Sequence, residues 1–131
     1  MTAVNEDIEL TVTTPDEPGI FGRVLGTLAN AGVNLRAMSV TSADQEGRFR
    51  LLTSDNKKAE AALRTLGYKV KSQQVLTVEI SDRIGAGAEV GALLGNAVID
   101  VETAYASSSG KSTILLVFQT NANKKAYETL R

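Results

Sequence analysis

The sequence predicts an α+β fold in which a βαββαβ unit occurs twice in tandem, the second copy lacking its last strand. Three observations carry this reading. The chain repeats itself at an offset of 66 to 67 residues, apolar residues alternate singly in some segments, and in others they recur at helical spacing. Leu10-Thr11-Val12 returns as Leu76-Thr77-Val78, Asp16 and Gly19 as Asp82 and Gly85, and Asn30-Ala31 as Asn96-Ala97, all 66 positions on. Asn56-Lys57-Lys58-Ala59 returns as Asn123-Lys124-Lys125-Ala126, 67 positions on. A period this long marks a duplicated small domain, because solenoid repeats run about 20 to 50 residues. The expected modules are residues 1–72 and 73–131.

In the first module Ile8, Leu10 and Val12 alternate with polar neighbours, the period of a half-buried strand. Pro15 to Gly19 form a turn cluster, in which Asp16 and then Pro18 suit the cap and first turn of a helix. Phe21, Val24, Leu25 and Leu28 fall at helical spacing and Ala31-Gly32 supplies a stop, so a helix is predicted from Gly19 to Ala31. Strands follow at Val33 to Thr41 and Arg48 to Ser54, joined by a polar connection from Ala43 to Gly47. Asn56 is read as the cap of a second helix carrying Ala59, Ala62, Leu63 and Leu66, which Gly67 ends before a strand at Tyr68 to Ser72.

The second module repeats this order: a strand at Val75 to Ile80, a helix ending at Ala97, strands at Val98 to Ser107 and Ser112 to Gln119, and a helix from about Asn121. No counterpart of the strand at Tyr68 to Ser72 follows Arg131. Either Tyr68 to Ile80 runs as one long strand serving both modules, or a sheet edge is left for another chain, which would make a homodimer. The junction near Ser72 to Val75 has no Pro, Gly or long polar stretch, so the modules are expected to be rigidly joined. The βαββαβ order is the ferredoxin-like arrangement, an antiparallel sheet with two helices on one face.

Composition narrows the chemistry. Of 131 residues 14 are basic and 15 acidic, giving a net charge of −1, which argues against a nucleic-acid partner. There is no Cys and no His, so thiol nucleophiles, imidazole bases and the commonest metal ligands are missing, and neither an enzyme, a metal nor a cofactor is expected. The polar, acidic start of the chain has no signal-peptide pattern, and runs such as Ile114 to Phe118 are strand-length. A cytoplasmic protein with no membrane span is expected.

The stretch Asp16-Glu17-Pro18-Gly19-Ile20-Phe21-Gly22-Arg23-Val24-Leu25, continuing through Leu28-Ala29-Asn30-Ala31-Gly32-Val33-Asn34-Leu35, resembles the signature of the ACT domain. The resemblance extends over both modules and fades in the second, where Ile84 replaces the Pro, Val98 the Gly and Asp100 the Asn. It implies a regulatory module that binds a small effector, commonly a free amino acid, at an interface between two modules, and hence a sensor rather than a catalyst. The alternative is a ligand-free oligomerisation module for a partner enzyme or regulator.

Physical chemistry supports the turn as a site. A helix N-terminus offers free N–H groups and about half a positive charge, so the turn ending at Gly19 and Ile20 can receive a carboxylate. Asn34 carries donor and acceptor together, and Asp16 can take an ammonium. As single residues, Asp16, Pro18 and Gly19 are equally an ordinary cap, first-turn residue and turn glycine. Candidate ligand-binding residues are Asp16, Pro18, Gly19, Ile20, Asn34, Leu35 and Arg36, with Asp82, Gly85 and Asp100 as their second-module counterparts. By strand period Asn34 and Arg36 share a face, matched by Asp100 and Glu102, which could form a split site or a salt bridge. The acidic second copy repels carboxylate, so the first is preferred.

Three other patterns are weighed. Ser109-Gly110-Lys111-Ser112 resembles the tail of a P-loop, but Tyr105 stands where a Gly is required and a strand follows, so a hairpin turn is expected. Gly85 and Gly87 would need a third glycine at Val90 to make a dinucleotide fingerprint. Gly87, Gly91 and Gly95, with Gly22 and Gly26 in the first copy, form helix stripes best read as tight packing against the sheet or the other module, or else as room for an effector.

Overall fold

The computed structural model describes residues 3–108 and 112–131. In chain order the elements are β1 (Ala3–Pro15), α1 (Ile20–Asn30), β2 (Leu35–Ala43), β3 (Glu46–Thr53), α2 (Asn56–Thr65), β4 (Lys69–Ser81), α3 (Ala86–Asn96), β5 (Val101–Ser108), β6 (Thr113–Thr120) and α4 (Asn123–Leu130). The fold is α+β and ferredoxin-like in both repeats. The turn expected at Ser109 to Lys111 lies outside the described residues.

The chain divides into two compact units, Ile8–Gln73 and Met1–Asp7 with Gln74–Arg131. In the first unit the strand order is β2-β3-β1-β4, and its core joins Leu10 and Val12 of β1, Val24 and Leu28 of α1, Phe49 and Leu51 of β3, and Leu63 of α2. In the second unit β4, β6 and β5 are neighbours in that order, and Leu76, Val78, Val90, Leu94, Phe118 and Leu130 form the core.

Of the two expectations for the absent last strand, the long strand is the one found: Lys69–Ser81 is continuous over 13 residues. The place beside β4 in the second unit is taken by residues 3–7, the start of β1, whose Val4 packs against that unit's core. The chain's own residues thus fill the position of the absent strand.

Several local expectations are corrected. The polar connection at Ala43 to Gly47 shrinks to Asp44 and Gln45, both at positive φ (55° and 65°), the conformation a two-residue hairpin turn needs to match strand twist. Both neighbouring strands therefore extend to Ala43 and from Glu46, and β2 begins at Leu35 rather than Val33. Gly47 lies inside β3, where a Cβ would come within 2.6 Å of Thr14 Oγ1. The cap of α2 is Asp55, whose carboxylate accepts from the Lys58 N–H at 3.1 Å. Asn56 instead donates to the Ile8 carbonyl at 3.0 Å and accepts from Thr53, tying helix to β1. Asn123 repeats this with Gln74 and Thr120.

Among the described residues, a Cβ at Gly22, Gly26, Gly87, Gly91 or Gly95 would meet no atom within 4 Å. Packing within the chain therefore does not explain the stripes. No helix among the described residues is long and apolar enough to cross a membrane.

Candidate functional site

The turn between β1 and α1 is built by two features. Gly19 at φ 91° enters the helix in the left-handed region that a Cβ disfavours, and no side chain caps α1. The Asp16 carboxylate is held by the Ser42 hydroxyl, and its N–H donates to the Gln45 carbonyl at 3.3 Å, pinning the turn to the end of the β2–β3 hairpin. The same bond recurs between Ser108 and Asp82 at 2.5 Å, before Gly85 at φ 87°. These serines lie 26 residues after their aspartates in both copies, a signal present in the sequence but visible only once strands are registered.

Pro18 and Gly19 are exposed, whereas Ile20 is buried in the core and can offer a ligand only its backbone. Leu35 also packs against that core. Asn34 is exposed, and its backbone exchanges two hydrogen bonds with Ser54, at 2.8 and 2.9 Å. Its side-chain amide has no partner among the described residues. Asp100 repeats this backbone exchange with Asn121.

The structure does not bring the turn and Asn34 of one chain together. Gly19 precedes α1 and Asn34 follows it, and an 11-residue helix is about 16 Å long. Asn34 also lies eight residues before Ser42 along β2, a rise of about 26 Å. The turn and Asn34 are thus opposite ends of the same unit. Arg36 departs from expectation as well: a bulge between Leu35 and Ala37 interrupts the alternation that aligned it with Asn34, and a matching bulge falls at Glu102.

Charge distinguishes the two turns in a way not foreseen. Glu17 pairs with Arg23 across the start of α1 at 3.7 Å, and at the corresponding positions Arg83 pairs with Glu89 at 2.5 Å. The charges are exchanged. In the second unit a carboxylate already occupies the start of α3, and the hydrogen bond and charge of Arg83 hold Glu89 below the ordinary carboxyl range. The cavity beside it, lined by Ile80, Arg83, Glu89 and Leu93, measures about 90 Å³, well under the ~300 Å³ of a small-ligand site. In the first unit the helix residue is the cation Arg23, paired with Glu17 of the turn, so no carboxylate lies on the first turn of α1 and the backbone's partial positive charge there is unopposed from within the helix. The reversal is legible at the 66-residue offset once both copies are aligned.

The ACT domain family matches residues 8–68. This segment is an ACT domain. Among solved structures, protein BT0572 from Bacteroides thetaiotaomicron superposes with a TM-score of 0.90 at 23% identity, covering 97% of this chain and 88% of that one. The regulatory subunit of aspartate kinase from Thermus thermophilus gives 0.72 at 16% identity, covering 98% and 94%. The corresponding subunit from Thermus flavus gives 0.67 at 17%, covering 97% and 92%. At these identities the likeness is one of fold, and it spans both repeats. No protein of curated function matches the chain in sequence. The ACT match stops at residue 68, short of the second copy, which lacks the Pro, Gly and Asn of the signature.

Proposed function

We propose that this protein is a non-catalytic regulatory module that binds a small carboxylate-bearing effector, a free amino acid, at a site completed by a second copy of the chain. The observation that supports it most is the separation just described. The ACT turn offers an uncapped helix start beside Arg23, suited to an anion, while Asn34 offers a free amide at the opposite end of the unit. A two-fold dimer places such ends against each other twice, because an isologous contact pairs surface i with j and j with i. Asp16, Pro18, Gly19 and Ile20 from one copy would face Asn34, Leu35 and Arg36 from the other. The second turn, with Asp82, Gly85 and Asp100, takes a lesser part because Glu89 already fills its helix start. Likeness in fold to aspartate kinase regulatory subunits agrees with a regulatory task.

A ligand-free assembly role is favoured by a different observation, the exposure of Phe21, Ile84 and Val98. Calorimetry with the proteinogenic amino acids, run beside sedimentation velocity, separates the two. One amino acid should bind saturably to a dimer; a stable dimer that binds none of them supports the assembly role.

A further inference from the structure

The first unit carries a second polar concavity, on the sheet face opposite α1 and α2. Leu10, Val12, Phe49, Leu51 and Val70 point into the core, so their strand neighbours Thr11, Thr13, Arg48, Arg50, Lys69 and Lys71 point the other way. A cleft of about 320 Å³ opens there, lined by Thr11, Thr13, Glu46, Arg48, Lys69 and Lys71. Its size falls at the lower end of small-molecule sites. Three cations face one carboxylate, a local charge of +2 in a chain whose total is −1.

The pairing within the cleft leaves this charge uncompensated. Glu46 reaches Arg48 at 3.7 Å, with both side chains about half exposed, a weak contact. Lys69 and Lys71 have no ion-pair partner among the described residues. Arg50, by contrast, is already neutralised by the buried Glu9 at 3.3 Å. Gln73 donates both to Glu9, at 2.7 Å, and to Thr11 Oγ1, at 2.6 Å. Thr11 is therefore held as an acceptor from behind, and its own proton is free to donate into the cleft. The three strands lie in the order β3-β1-β4, so a row of hydroxyls is flanked on both sides by cations. Strands β3 and β4 stand about 10 Å apart, a distance that long side chains close over a single tetrahedral anion.

We propose that this cleft binds a phosphate group, carried on a small organic ester. A set of N–H and O–H donors with a single acceptor selects an acceptor-rich, multiply charged group. A neighbouring hollow of about 260 Å³ shares Thr13, Glu46 and Lys69 and continues to Pro15 and Tyr68, which gives the organic part an apolar surface. The phosphate cleft itself contains none of the turn residues, which only the hollow's Pro15 adjoins, and it stands whether or not an amino acid binds at the turn.

The test is an amide NMR titration of the full chain at constant ionic strength, with inorganic phosphate in one arm and phenyl phosphate in the other. Saturable shifts at Thr11, Thr13, Lys69 and Lys71 are expected, with Kd of about 1 mM or tighter. Phenyl phosphate should bind more tightly and also move Tyr68; equal binding without Tyr68 would mean a free-phosphate site and overturn the ester. Lys69→Gln with Lys71→Gln should weaken binding about tenfold, whereas Lys57→Gln with Lys58→Gln, on α2, should not. Both pairs are exposed, and the amide spectrum itself reports that the variants fold. Non-saturable shifts, or equal loss in the two double variants, would overturn the proposal.

Discussion

Val98 is the residue at which the second copy departs most sharply from the first. It occupies the position of Gly32 after the helix, and the two adopt φ of 59° and 73°. Both helices end alike: Gly32 and Val33 donate to Ala29 and Leu28, and Val98 and Ile99 donate to Gly95 and Leu94. Those pairings are the Schellman motif, which wants glycine at this position. A β-branched residue there strains the backbone by about 1–2 kcal/mol, against roughly 0.4–1 kcal/mol by which glycine loosens the unfolded chain. Val98→Gly is therefore expected to stabilise the protein by about 0.5–1 kcal/mol, read as a higher urea midpoint at unchanged slope. The strain could be anticipated from the sequence, since the Gly-to-Val exchange falls on a helix stop.

The exchanged ion pair at the two turns gives a second prediction for single residues. Glu89 is held below its ordinary value of 4.5 by the hydrogen bond from Arg83 and then by its charge. A carboxyl lowered on folding contributes stability above its unfolded pKa and loses it as pH falls through the folded one. Carboxyl NMR titration should find the Glu89 midpoint lowered in the parent and back near the ordinary value in Arg83→Gln. An unchanged midpoint would show that the pair does not persist in solution.

For the elements, legibility followed the strength of the periodic signal. The helices at Ile20–Asn30 and Ala86–Asn96 are bracketed by turn residues and carry apolar residues at helical spacing, so the sequence placed them to within about one residue. Strand ends were missed where a non-glycine pair, Asp44-Gln45, makes a tight turn that composition suggests is longer. The bulges at Arg36 and Glu102 were invisible, because only pairing with β3 and β6 reveals the extra residue. The partnership of residues 3–7 with β4 was equally hidden: Asn5, Glu6 and Asp7 have no strand propensity of their own, and tertiary pairing decides their conformation. Because β4 is continuous through Ser72 and Gln73, cutting there divides a strand. Fragments 1–72 and 73–131 should each lack cooperative unfolding at the temperature of the intact protein, as followed by calorimetry. Two transitions matching the parent would contradict the coupling of the modules.

For the whole molecule, the sequence made the duplication and the ACT turn readable, and the helix predicted between Gly19 and Asn34, about 16 Å long, already implied that they stand at its opposite ends. Hidden was the strand register that brings Ser42, at the far end of β2 from Asn34, beside Asp16 of the turn. The central claim is that one effector site takes its turn from one copy and its Asn34 from another. The most direct measurement mixes Asp16→Ala and Asn34→Ala chains after co-refolding and counts effector sites by equilibrium dialysis. Each variant alone should bind the effector about 1–3 kcal/mol more weakly than the parent, the usual loss when a polar partner is removed. In an equal mixture, half the dimers pair one variant with the other, and one of their two sites is intact, so about a quarter of all sites should recover parental affinity. No recovery on mixing would place the whole site within one chain and contradict the account.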